Sequence, residues 1–278
     1  MKRFFPLLAV AVFVLALAAC GGGGGSSDTT KKPELPLHHQ GKLIVGFDVP
    51  APSFWNGQLH ATTLLHPSGF EYDLAVAIGR KLGIGKAHVE LLRAPFHTIL
   101  LPGKTPYDFA LEETTITPDR AKGVGFSAPY FDANQGVLIA KGVTKPTSIA
   151  DLKSLQTCAQ SSTTGLDWIL HKLHPTKQPL IYSASNSSAF DAVATRACQA
   201  LILDVPIIEA QSQKQPHAYG GVAGEIDTHE GYGAVFSKDS ALISHVNKAI
   251  TALQNDGTIS DLTQRWFNYD PSAIPVLM

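Results

Sequence analysis

The chain is poor in the side chains that do covalent and metal chemistry. It has three cysteines and two methionines in 278 residues. It carries no glycine-rich phosphate loop, no His-Glu-x-x-His and no Gly-x-Ser-x-Gly, so the common signatures of nucleotide binding, zinc proteolysis and nucleophilic hydrolysis are missing. The eleven histidines are scattered; His171 and His174 share helical spacing but run into Pro175, and neither a metal nor a cofactor is expected. Charged residues make up only 16% of the chain, 22 basic against 23 acidic. Nothing there forms the basic face that nucleic acid requires. The missing nucleophile motifs favour binding over catalysis without excluding acid–base chemistry.

Long apolar runs are also scarce. One exists, from Phe4 to Ala19 behind Lys2 and Arg3, and it is too short and wrongly flanked for a membrane span, so it reads as a secretory signal. It ends Leu17-Ala18-Ala19-Cys20, which resembles the lipobox of bacterial lipoproteins, where cleavage precedes the cysteine and the cysteine is lipidated. Gly21 to Ser27 are glycine and serine only, a flexible tether, and the polar, Pro-containing stretch to about Gln40 is expected to be disordered. Loss of residues 1–19 removes two of the 22 basic residues and leaves 20 against 23 acidic, a net charge of −3. The remaining cysteines, Cys158 and Cys198, each precede an apolar strand-like run. An exported chain meets an oxidising compartment, so a disulfide between neighbouring strands is expected.

What is present is an alternation of strand and helix signals. Lys42–Phe47 reads as a strand, Phe70–Leu82 as a helix with apolar residues at 70, 74, 78 and 82 stopped by Gly83, His88–Leu92 as a second strand, Phe96–Leu101 as a short helix, and Tyr107–Leu111 as a third strand. Such an order builds a parallel sheet with crossover helices. Immediately after the third strand stands Thr114-Thr115-Ile116-Thr117-Pro118-Asp119-Arg120. Ligands of open α/β sheets bind at that edge. Thr117 suits a helix N-cap and Pro118 its first turn; hydroxyls, a helix N-terminus and the Arg120 guanidinium together make a receptor for a carboxylate. A second hydroxyl-rich turn, Ser161 to Gly165, leads into Leu166–Leu170. Cys198–Leu203 reads as a buried strand with Asp204 at its C-terminal end.

Gly69-Phe70-Glu71-Tyr72-Asp73-Leu74-Ala75, Thr115-Ile116-Thr117-Pro118-Asp119-Arg120 and Phe126-Ser127-Ala128-Pro129-Tyr130-Phe131, in this order and spacing, resemble the polar amino-acid-binding proteins of bacterial ABC importers. The likeness runs from about Lys42 to about Phe267. It implies a two-lobed periplasmic-binding-protein-like fold of type II, α/β, each lobe a mostly parallel sheet flanked by helices, with the ligand cleft between. The expected division is 1–19 signal, 20–40 lipidated linker, 41–136 with 228–278 as the first lobe, and 137–227 as the second. The resemblance places Thr115, Arg120, Thr163 and Thr164 on the ligand α-carboxylate, Asp204 on the α-ammonium, and the Glu113 carbonyl as a further acceptor. It also implies a lipid-anchored, extracytoplasmic monomer that passes a free amino acid to a membrane ABC permease.

Phe54 or Trp55, in the first strand-to-helix loop, is expected to cover an apolar part of the ligand. Asp48 in the same loop, with Glu112 and Glu113, makes the pocket acidic and favours arginine, lysine or histidine. Strand alternation lets at most one of Glu112 and Glu113 reach the ligand. The alternative is an enzyme on the same scaffold, resembling cyclohexadienyl dehydratases, with Glu112 or Glu113 as general acid; release of product from prephenate or arogenate would identify it. A sensor lobe would need a transmembrane helix and a kinase module, for which no segment is found. The leader generates the first prediction: Cys20→Ala moves the protein from the membrane fraction to the soluble fraction and abolishes incorporation of labelled lipid.

Overall fold

The computed structural model describes residues 34–183, 185–269 and 273–278. The signal segment, the glycine–serine tether and Cys20 lie outside them. Among the described residues no helix is long and apolar enough to cross a membrane.

Leu43–Phe47 is buried along its whole length, as a strand covered on both faces must be. It pairs in parallel with Val89–Arg93 on one side and Phe109–Ala110 on the other. Val235–Phe236 and Gly125–Phe126 extend the sheet by antiparallel pairing, giving five strands. The second five-stranded sheet repeats the plan: Leu180–Tyr182, Thr157–Gln160 and Ala200–Asp204 are parallel, Gln135–Ile139 runs antiparallel to them, and Gly221–Ile226 pairs antiparallel to Gln135–Ile139. Each lobe is therefore an even mixture of parallel and antiparallel pairings. The βαβ units pair in parallel, and the added antiparallel strands are those next to the passages of the chain between lobes.

The helix expected from Phe70 forms over Phe70–Lys81 and buries Phe70, Leu74 and Ile78, packing on the helices Ile243–Asn255 and Thr258–Trp266. Its start depends on Gly69: φ is 123°, and a Cβ there would lie 2.1 Å from the Phe54 carbonyl oxygen. Phe267 is buried and Trp266 partly so, with the Trp266 indole donating to Asp73 at 2.9 Å. A hairpin, Asn56–His60 with Thr63–Ser68, occupies a stretch in which no clean alternation announced strands.

The two inter-lobe passages are tied to each other. Asn134 Oδ1 accepts from the backbone N–H of Thr228 at 3.1 Å and of His229 at 2.9 Å. Gln135 and Gly136 already belong to the second sheet. The chain end also differs from expectation. Residues 275–278, expected in the first lobe, run beside Gly221–Ile226: Glu225 donates to the Pro275 carbonyl, Leu277 donates to the Glu225 carbonyl, and Leu277 is buried in the second lobe's core. The apolar side chain of Leu277 and an otherwise unpaired strand edge account for the return.

Cys158 and Cys198 form a disulfide with Cα atoms 5.9 Å apart. Cys158 lies on Thr157–Gln160, and Cys198 leads into the adjacent strand Ala200–Asp204. The bridge closes a loop of sequence separation 40, for which chain entropy gives about 4 kcal/mol. Denaturant unfolding with and without reductant checks this. The reduced protein is expected to lose stability of that order, and mass spectrometry of the unreduced protein to find one linked peptide pair.

Candidate functional site

A cavity of about 590 Å³, counting its part open to solvent, lies between the sheets. Both lobes contribute to it. The first brings Asp48, Phe96, Glu112, Glu113, Thr115 and Arg120; the second brings Gln160, Thr163, Thr164, Asn186, Leu203 and Asp204.

The cationic side of the cavity is Arg120. The Thr117 hydroxyl accepts from the Arg120 backbone N–H at 3.2 Å, and the Thr117 carbonyl accepts from Ala121 at 2.9 Å. Thr117 thus closes the turn leading into the short helix Arg120–Gly123 as a capping residue does. The guanidinium donates to the Thr115 carbonyl at 2.7 Å and crosses the cleft to the Ser162 carbonyl at 2.8 Å. It also lies 5.8 Å from the centre of the Phe96 ring. Two bonds leave a guanidinium with three donors unused, so Arg120 is fixed in place and still able to bind an anion.

Asp204 is the facing anion. It is 4% exposed, and one oxygen accepts from the Tyr232 hydroxyl at 2.6 Å while the other accepts from the Gln135 amide. Burial, reinforced by the neighbouring Glu230, pushes its pKa up to about 6 against the pull of Tyr232, Gln135 and Arg120. A carboxylate has about four acceptor positions, and only two are filled.

The hydroxyls of the two threonine turns are already engaged. Glu230 Oε2 accepts from Thr115 at 3.1 Å, Thr164 at 2.7 Å and the Gln135 amide at 3.0 Å. Thr163 caps its own helix, its hydroxyl accepting from Leu166 at 3.2 Å and donating to the Gln160 carbonyl at 2.7 Å.

Beneath the cavity lies a carboxyl cluster. Glu71 is fully buried and accepts from the Trp55 indole at 2.6 Å, the Glu113 backbone N–H at 2.8 Å and the Tyr130 hydroxyl. Glu112 is 4% exposed with neither carboxylate oxygen partnered, and one oxygen of Glu113 is likewise free. Burial drives the pKa of all three up. For Glu112 the charges of Asp48 and Glu71 add to burial, and Arg93 opposes them.

Asp48, Glu113, Thr115, Arg120, Thr163, Thr164 and Asp204 meet at one cavity. Phe54 does not join them. It is fully buried among Phe70, Phe131, Tyr232 and Phe267, and Phe96 is the cavity's aromatic residue. Both Glu112 and Glu113 line the cavity, contrary to the expectation from alternation. The strand ends at Ala110, and Glu113 has φ 43°, so period-two geometry no longer applies. Asp48 accepts from Arg93 at 2.9 Å and from the Val49 backbone at 2.9 Å, so its charge is largely answered within the protein. Sequence reading missed Gln135 and Glu230. Their one signal is position: polar residues at the two junctions where the chain changes lobes.

The profile of the bacterial extracellular solute-binding proteins, family 3, matches residues 43–269. The arginine-binding protein 1 of an Escherichia coli ABC transporter is 29% identical over 206 residues, covering 72% of this chain and 81% of that protein. The glutamine-binding protein GlnH of a Bacillus subtilis ABC transporter is 27% identical over 291 residues, covering 98% of this chain and 100% of the relative. Among solved structures, an ancestral arginine-binding protein bound to arginine superposes with a TM-score of 0.69 at 28% identity, covering 83% of this chain and 100% of that one. These relatives are binding proteins by name, and the match extends beyond the cavity to both lobes.

The raised pKa of Asp204 fixes the sign of a pH effect. Its folded pKa of about 6 exceeds the unfolded value near 3.8. The stability it contributes is therefore fully present below pH 4 and lost as pH rises through 6, a change of about 3 kcal/mol. In Asp204→Asn that component of the decline between pH 4 and 7 is expected to vanish, which denaturant melts of the ligand-free protein across that range would measure.

Proposed function

Because the chain belongs to the bacterial extracellular solute-binding proteins, family 3, we propose that it captures a free amino acid outside the cytoplasm and delivers it to an ABC permease. The observation that carries this reading is the pairing of Arg120 and Asp204 across one cavity, each on a different lobe and each with bonding capacity to spare. An α-amino acid carries one negative and one positive group on a single carbon, and this arrangement answers both. Arg120 would hold the α-carboxylate, assisted by the Thr115, Thr163 and Thr164 turns; Asp204 would take the α-ammonium, assisted by the Glu113 carbonyl.

A ligand touching both lobes stabilises the closed arrangement by its differential contacts, so capture and hinge closure are one event. The acidic side of the cavity, with Asp48, Glu112 and Glu113, supports a basic ligand: arginine, lysine or histidine. Arginine- and glutamine-binding relatives lie at similar identity, so relatedness alone does not choose. The sequence at Cys20 supports a lipid anchor, which would keep the captured amino acid near its permease.

Arg120→Ala tests the reading. Removing one partner of a partly buried charge-assisted contact costs roughly 2–5 kcal/mol, so calorimetric titration is expected to show at least a thirtyfold loss of affinity for the preferred amino acid. A folded variant that binds as wild type does would refute the assignment of Arg120.

A further inference from the structure

We infer that Glu112 is the receptor for the ligand's side chain, its two unpartnered carboxylate oxygens forming a two-pronged acceptor for a guanidinium group; the inference rests on the amino-acid-binding reading above. Glu112 lines the cavity, is 4% exposed and, among the described residues, has no hydrogen bond to either oxygen. A buried carboxylate without a partner is costly, and native interiors do not retain one without a compensating group or a function. The groups acting on Glu112 are Asp48 from the first cleft loop, Glu71 from the helix Phe70–Lys81, its neighbour Glu113, the hydroxyls of Tyr107 and Tyr130, and Arg93. Arg93 is the single cation among them, and its Nε is committed to Asp48 at 2.9 Å. Asp48, the residue that sequence position favoured, is thereby disqualified as the principal receptor. Glu113 has one free oxygen, whereas Glu112 has two.

Two free oxygens on one planar group match the paired N–H bonds of a guanidinium, which an ammonium presents only as a point charge. The surroundings also determine what Glu112 does before the ligand arrives. Burial and the neighbouring carboxyls raise its pKa well above the ordinary carboxylate value, so the empty site holds its proton to higher pH than an exposed carboxylate does. An entering guanidinium brings the missing positive charge, and the proton leaves to solvent. No other bond is made or broken. Binding of a cationic ligand is therefore coupled to proton release and strengthens as pH rises toward the pKa of the empty site. A neutral ligand of the same shape is not coupled in this way.

Arginine and citrulline separate the inference from the reading beneath it, because they share the α-amino acid groups and nearly the same shape but differ in charge. Titration calorimetry of the wild-type protein is expected to show arginine binding at least about thirtyfold tighter than citrulline. Measurements in buffers of different ionisation enthalpy are expected to show release of up to about one proton for arginine and none for citrulline. Glu112→Gln should collapse the arginine-to-citrulline ratio to within about threefold, with citrulline affinity little changed, and should abolish the proton release. A wild-type ratio near one, or a Glu112→Gln variant that keeps the ratio and the proton release, overturns the inference while leaving amino-acid binding intact. Failure of the wild type to bind either ligand, or any other common amino acid, overturns both. The wild-type measurements decide the matter even if the variant does not fold.

Discussion

One carboxylate oxygen, Oε2 of Glu230, accepts hydrogen bonds from Thr115 on the first lobe and from Thr164 and Gln135 on the second. Much else in the cleft depends on that shared acceptor. The two lobes meet across it, the threonine turns are oriented by it, and Gln135 is held so that its amide also reaches Asp204. A half-buried acceptor satisfied from both sides resists separation, since opening the lobes must return each donor and the carboxylate to water. The Arg120 contact to the Ser162 carbonyl adds a second bridge of the same kind. Under the proposed function the same side chains would serve both the contact between the lobes and the ligand.

The acidic cluster below the cavity sets a different constraint. Glu71 and Glu112 are buried and Glu113 is half-buried, and three poorly screened negative charges would repel strongly. Glu71 is accommodated by donors: the Trp55 indole, the Tyr130 hydroxyl and a backbone N–H. Glu112 is accommodated by none. That contrast between two buried glutamates separates an acid serving the architecture from one reserved for something outside it. A polar network that is complete rigidifies its surroundings, and one that is incomplete is unstable unless another component completes it.

The elements positioning the cleft were legible in sequence wherever one period dominated. The stripe at 70, 74, 78 and 82 gave a helix over Phe70–Lys81, and the apolar run at 43–47 gave a fully buried strand. The turn that carries Arg120 was readable because hydroxyl, proline and arginine occur together in the sequence. Phe54 was misplaced because an aromatic in a loop carries no sign of which way it packs; four aromatic rings from distant segments decide it. Glu112 and Glu113 were assigned by alternation beyond the strand that justified it. Gln135 and Glu230 meet across a sequence distance of 95 residues, and no local pattern contains such a pair.

The return of residues 275–278 to the second sheet has a consequence for how motion could be read out. Near the other end of the described chain, His38 donates to Asp108 and Lys42 pairs with Glu90, both on the first lobe. The two ends of the described chain therefore lie on different lobes. In the proposed lobe closure their separation would change, so a pair of fluorophores, one near residue 38 and one at residue 278, would convert lobe movement into a distance signal without a label entering the cleft.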